Sequence, residues 1–258
     1  MPSAHLPRLN DWTVLSLRPC GQHAGLRAAA THAGARTLAL SVLAIRRRDD
    51  AATRAELAEA LGTHILVYTS ANAVRAANAL TPLRMRRGQA WLAVGDGTRL
   101  ALSRFGITAE TPARMDSEGL LAMPTLLDVR GRSVGLITGS GGRGVLEEAL
   151  RARNPEALRR VDVYARETVP LGSARVQALG TVLERPQRVL LALSSGEALQ
   201  ALLAQVDDPR LLEVAVVAAS ARLAKLAFSA GFTRMATANS ARPTALMTAA
   251  ASAFGGQR

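Results

Sequence analysis

The sequence predicts an α/β protein made of two similar parallel-sheet α/β domains, and three observations carry that prediction. Short β-branched runs alternate with longer alanine- and leucine-rich helical periods along the whole chain, the pattern of strands buried under helices on both faces. The same strand-loop-helix motifs recur in the two halves of the chain. Its 258 residues exceed the roughly 100 to 200 residues usual for one domain. With hydrophobic residues at 48% but aromatics at only 3%, the core must be built from Ala, Leu and Val.

The strands are expected at 13–17 (TVLSL), 37–45 (TLALSVLAI), 64–70 (HILVYTS), 90–94 (AWLAV), 133–138 (SVGLIT), 160–165 (RVDVYA), 188–195 (RVLLALSS), 213–220 (EVAVVAAS) and 234–238 (RMATA). Helical periods lie between them, at 25–34, 53–62, 99–106, 144–153, 196–206 and 220–231. Glycines at 34, 62, 106 and 231 are expected to close their helices at positive φ.

Three motif pairs define the repeat. VLSLRPCGQHAGLRAAA (14–30) answers VGLITGSGGRGVLEEAL (134–150), ILVYTSANAVRAA (65–77) answers VLLALSSGEALQAL (189–202), and AVGDGTRLALSRFG (93–106) answers AVVAASARLAKLAFSAG (215–231). Thr69, Ser70, Thr98, Ser194, Ser195 and Ser220 fall at the strand-to-helix junctions, where a hydroxyl can cap a helix or reach a ligand.

Cys20 is the only cysteine, which excludes an internal disulfide and a multi-cysteine metal site and fits a reducing compartment. No run has the length of a signal peptide's apolar core or of a membrane span, so a soluble cytoplasmic protein is expected. The formal net charge is +12, and Lys225 is the only lysine. Such a surface attracts anions. Nucleic acid is disfavoured, because the arginines are scattered and no aromatic platform accompanies them. The densest runs, IRRRDD (45–50) and MRRG (85–88), read as loop edges. His5, His23, His32 and His64 have no metal-ligand spacing, Cys20 after Pro19 reads first as structural and alternatively as a reactive thiol, and the pairs Asp49-Asp50, Glu147-Glu148 and Asp207-Asp208 read as solvated.

The stretch LITGSGGRGVLEE (136–148) places Gly139, Gly141 and Gly144 in G-x-G-x-x-G spacing, with Asp162 18 residues beyond Gly144. An NAD-dependent oxidoreductase is therefore one reading. Against it, the loop follows several α/β units instead of opening its domain. A non-catalytic two-lobed ligand-binding module is another reading.

The order of motifs resembles the uroporphyrinogen-III synthase family. The resemblance rests on LRP (17–19), YTSANAV (68–74), AVGDGT (93–98), DSEGLL (116–121), GSGGRGVL (139–146), VYAR (163–166), LSSGEAL (193–199) and SARLA (220–224), and runs from residue 14 to about residue 240. It implies two α/β domains joined by a two-stranded linker, with the active-site cleft between them. The first domain would be discontinuous, 10–40 with 170–258, the second inserted as 46–164, and the linker strands 41–45 and 165–169. The implied activity, that of a hydro-lyase, is cofactor- and metal-free closure of hydroxymethylbilane to uroporphyrinogen III, with inversion of ring D and loss of water. A monomer is expected.

Hydroxymethylbilane carries eight carboxylates, so helix N-termini and hydroxyls make a suitable grip. On the matching motifs, Arg18, Thr69, Ser70, Asn72, Thr98, Gly141, Gly142, Arg143, Ser194, Ser195 and Ser220 would bind substrate, and Tyr164 matches the family's suspected proton donor. Three positions depart from the family pattern. Thr138 stands where relatives usually carry an arginine, Leu17 replaces the usual threonine before Arg18, and 217–221 lacks a glycine-threonine form.

Overall fold

Two five-stranded sheets organise the chain in the computed structural model, which describes residues 8–141 and 144–256. One unit comprises the chain up to Ala44 together with everything from Glu167 onward, and the other is Ile45–Arg166.

In the first unit the sheet order is β10-β9-β8-β1-β2. Its strands are β1 (Thr13–Ser16), β2 (Arg36–Ala39), β8 (Val189–Leu193), β9 (Ala215–Ala218) and β10 (Met235–Thr237). Both faces of this sheet are apolar, as a sheet covered on two sides requires. Leu15, Leu191, Leu193 and Val216 enter one core cluster, while Val14, Leu190, Ala192 and Val217 enter another. The helices that supply the cover are α1 (Ala24–His32), α8 (Ser173–Val182), α9 (Gly196–Leu203), α10 (Ala221–Ser229) and α11 (Pro243–Phe254).

The second sheet runs β3-β7-β6-β4-β5, from β3 (Leu43–Arg47), β4 (Ile65–Tyr68), β5 (Ala90–Ala93), β6 (Ser133–Gly139) and β7 (Ala157–Thr168). The same alternation holds, with Ile65 and Val67 in one cluster and Leu66 and Tyr68 in the other. Its helices are α2 (Ala51–Leu61), α3 (Ala71–Leu80), α4 (Asp96–Ser103), α5 (Ser117–Leu121), α6 (Pro124–Leu127) and α7 (Val145–Arg151). The chain passes from one unit to the other inside β3 and again inside β7. The strand pairs of both sheets are parallel except β3 with β7, where the Arg48 N–H bonds to the Val163 carbonyl and the Val169 N–H to the Val42 carbonyl, an antiparallel run.

The repeat is realised with an exchange. Read as β2-β1-β8-β9 and β7-β6-β4-β5, the two sheets place equivalent motifs at equivalent positions. Each unit thus combines the first motif of one sequence copy with the second and third motifs of the other. Sequence proximity alone would have grouped them by copy.

Four sequence expectations are corrected. The single strand expected at 37–45 is two, β2 and β3, separated at 40–42, because Leu40 and Val42 turn into the first unit's core between them. Gly62 has φ −80°, unlike Gly34, Gly106 and Gly231 at 86°, 74° and 103°. The Thr63 hydroxyl satisfies the Ala60 carbonyl at 2.8 Å there, so no left-handed residue is needed. Residues 45–47 of the first arginine run lie in β3, not at a loop edge. Cys20 is an exposed free thiol and not a structural one. Helices α8 and α11 were not singled out in the sequence.

Candidate functional site

Parallel strands leave their carboxyl ends on one edge, where open α/β sheets place their ligands. In the second unit that edge holds a cavity of about 190 Å³, lined by Thr69 and Ser70 after β4, Thr138 and Gly139 at the end of β6, Tyr164 and Arg166 on β7, Ser117 on α5, and Glu147 and Arg160, among others.

Tyr164 owes its place to an irregularity. Along the parallel β6–β7 ladder Thr138 pairs with Asp162, but Gly139 pairs with Tyr164, so Val163 is the extra residue of a bulge. Strand alternation would turn Tyr164 away from Val163. Instead Val161, Val163 and Tyr164 all join one core cluster, the kind of re-aiming that bulges perform beside sites. The ring lies where a Cβ at residue 139 would be. Glycine at that position is thus a requirement of packing.

Only 2% of Tyr164 is exposed, yet its hydroxyl is well provided. Ser70 Oγ is 3.1 Å away, and Arg166 Nη1 donates to the phenol oxygen at 3.3 Å. Ser70 also caps α3, accepting from the Ala73 N–H at 3.0 Å. Its neighbour Thr69 donates to Thr138 Oγ1 at 2.8 Å. Thr138 is thus half of a hydroxyl pair. Charge in the cavity wall is balanced: Arg160 pairs with Glu147 and, at 3.1 Å, with Asp162. Arg160 donating to it holds the Glu147 carboxyl below the usual range. Glu147 is therefore a paired wall residue and not the solvated acid expected. Asp50 and Asp208 cap helical turns, accepting from Thr53 N and Arg210 N; Asp49 and Asp50 are both exposed, as expected, and Asp49 pairs with Arg47 and Arg54.

Within the second unit the structure brings Thr69, Ser70 and Tyr164 together around the cavity, whose lining does not include Asn72, Thr98 or Gly141. Asn72 sits in the first turn of α3, holding Arg75. Thr98 is no junction residue: it is the third residue of α4, 4% exposed, with its N–H bonded to the Gly95 carbonyl. Gly141 is exposed at φ 80°, while Gly142, Arg143 and His5 lie outside the described residues.

In the first unit, Arg18 follows β1, Ser194 and Ser195 follow β8, and Ser220 follows β9, all at the carboxyl ends of adjacent parallel strands. Ser195 and Ser220 cap α9 and α10. Arg18 donates to the Ala241 carbonyl at 2.8 Å, and burial pushes its guanidinium below its ordinary range. His23, which the sequence offered no reason to notice, is 8% exposed between Ser16 Oγ and Ser41 Oγ, each 2.8 Å from a ring nitrogen.

Sequence reasoning passed over Ser117, Thr138, Glu147, Arg160 and Arg166 as site residues. VYAR carried the signal for Arg166, two residues after the tyrosine. No local pattern carries the Glu147–Arg160 pairing, which depends on how α7 packs.

The glycine spacing that suggested a dinucleotide is used differently. Gly139 is a strand residue under the Tyr164 ring, and Asp162, the would-be ribose ligand, is paired with Arg160. The uroporphyrinogen-III synthase HemD family model matches residues 25–248. The chain belongs to that family. As a uroporphyrinogen-III synthase it is a hydro-lyase of porphyrin biosynthesis, which decides against both the oxidoreductase and the non-catalytic reading.

Two solved structures share the fold. A mutant uroporphyrinogen III synthase from the extremely thermophilic bacterium Thermus thermophilus is 20% identical, with a TM-score of 0.60 over 92% of this chain and 96% of that one. The Helicobacter pylori enzyme is 12% identical, with a TM-score of 0.63 over 93% and 98%. Among the described residues no helix of this synthase is long and apolar enough to cross a membrane.

Proposed function

We propose that the cavity of the second unit is where the synthase opens its reaction, with Tyr164 as the proton donor. A volume of about 190 Å³ is below the roughly 300 to 1,000 Å³ of sites that enclose a whole drug-sized ligand. It therefore takes one end of hydroxymethylbilane, the ring that carries the hydroxymethyl group. The observation that carries this reading is the Tyr164 phenol, buried by the bulge, bonded to Ser70 and Arg166, and lining the cavity beside Thr69 and Thr138.

The chemistry asks for one proton. As the carbon–oxygen bond of the hydroxymethyl group breaks, the oxygen keeps the electron pair and takes the phenol proton, and water leaves. The ring becomes an azafulvene cation. The substituted carbon of ring D attacks it, and the resulting spiro intermediate opens and recloses with ring D inverted. Without a protein, ring D closes unflipped to isomer I. Catalysis therefore lies largely in holding the chain of rings so that the less accessible carbon attacks. Thr69, Ser70 and Thr138 are the neutral donors for the ring's carboxylates, each charge-assisted bond being worth about 1.5 to 3 kcal/mol.

Arg18, Asn72, Thr98, Gly141, Gly142, Arg143, Ser194, Ser195 and Ser220 are proposed as further carboxylate-binding groups. The enzyme is proposed to act as a cytoplasmic monomer, independent of metal and cofactor and without affinity for nucleic acid. The test is to supply freshly prepared hydroxymethylbilane and separate the isomers by chromatography. Isomer III in excess over the spontaneous product is expected, and isomer I alone would reject the assignment.

A further inference from the structure

Arg166 stands two residues beyond Tyr164 on β7 and is turned back onto it. Nη1 donates to the phenol oxygen at 3.3 Å, Nη2 reaches the Ser140 carbonyl at 3.5 Å, and the guanidinium carbon is 6.0 Å from the ring centroid. Ser140 is itself fixed, its N–H bonded to the Tyr164 carbonyl at 2.9 Å. The guanidinium is therefore held between the residue that follows β6 and the phenol.

A cation donating to a phenol oxygen has two consequences. It occupies a lone pair, so the phenol's single proton must point elsewhere, either to Ser70 Oγ or to a ligand oxygen in the cavity. It also faces the negative charge that grows on that oxygen as the proton leaves, a preorganised stabilisation requiring no solvent reorganisation. The Arg166 side chain remains protonated throughout, so it can only orient and stabilise.

We propose that Arg166 is the positioning residue for Tyr164, aiming its proton at the departing hydroxyl and stabilising the phenolate left behind. The proposal rests on the reading of Tyr164 as proton donor. The balance closes within the site. The phenol proton leaves in the water molecule, and the phenolate takes back the proton that the newly joined pyrrole carbon sheds when its ring regains aromaticity. Charge of one sign thus sits on Tyr164 only between these two events, and Arg166 faces it during that interval.

The test compares initial rates on hydroxymethylbilane for the wild type, Tyr164→Phe, Arg166→Met, Arg166→Lys and the double variant Tyr164→Phe/Arg166→Met. Arg166→Met is expected to lower kcat about thirtyfold with KM within about twofold, since the interaction matters only in the transition state. Arg166→Lys, which can still donate a charged N–H, should recover most of the loss. The double variant should be no slower than Tyr164→Phe alone, because residues acting as one unit are not additive.

Two results overturn the inference alone: a loss confined to KM, or a double variant slower than Tyr164→Phe by the full Arg166→Met factor. Both would mean that Arg166 binds a substrate carboxylate directly. A wild-type kcat in Tyr164→Phe would remove the proton-donor reading and the inference with it. Should Arg166→Met melt early, Arg166→Gln gives the same comparison.

Discussion

Gly139 and Tyr164 face each other across the β6–β7 ladder, and the aromatic ring fills the space that any side chain at 139 would need. Gly139→Ala therefore cannot be accommodated without moving the ring or its strand. It is expected to cost about 1 to 3 kcal/mol of stability, the usual range for overpacking, and to lower kcat more than it raises KM. Denaturant midpoints and steady-state rates on the same preparation check this. Unchanged values for both would mean that the ring's position is not set by this contact.

Ser70, Ser195 and Ser220 make the same cap at three helix starts, but only Ser70 touches Tyr164. Each serine-to-alanine change should cost about 1 kcal/mol. Ser70→Ala should in addition lower kcat, whereas Ser195→Ala and Ser220→Ala should appear in KM. Were KM for those two to stay at the wild-type value, they would be caps and nothing more.

The Tyr68 hydroxyl is fully buried, its proton is held more tightly than an ordinary phenol's, and it has no hydrogen-bond partner among the described residues. Its ring stacks on Trp91, with centroids 5.5 Å apart. Tyr68→Phe keeps the stack and deletes an unsatisfied polar group, so it should stabilise the enzyme by about 1 kcal/mol. A thermal or urea melt reads the sign directly, and a destabilised variant would point to an unrecognised partner for that hydroxyl.

His23 gives the stability a dependence on pH. Burial first, and then Arg27, Arg18 and Arg175, hold the imidazole below its ordinary value of 6.5. The unfolded chain therefore takes up a proton before the folded chain does, so stability is complete above about pH 6.5 and falls as pH drops toward the lower folded-state value. Urea midpoints at pH 7.5 and 5.5 should show this loss in the wild type and a smaller one in His23→Gln. Equal losses would assign the effect to other groups.

The sheets were legible because buried parallel strands leave a strong mark: runs such as Val189–Leu193 are apolar on both faces. The repeat was legible for the same reason, and so were the serine caps, whose chemistry is local. The β6–β7 bulge was not, because inserting Val163 changes which face Tyr164 takes without changing composition. Arg160–Glu147 and His23–Ser41 were hidden because they join residues 13 and 18 apart through packing of separate elements. Nor does any spacing rule show that Gly139, first glycine of an apparent nucleotide motif, serves a tyrosine 25 positions later.

The most direct measurement is the rate of isomer III formation by Tyr164→Phe beside the wild type, with folding matched by melting temperature. A drop in kcat of about a hundredfold, within the span usual for a lost proton donor, is the predicted result, with KM little changed and the spontaneous isomer I rising in proportion. Wild-type turnover by the phenylalanine variant would contradict the account, since the cavity would then lack the group that starts the reaction.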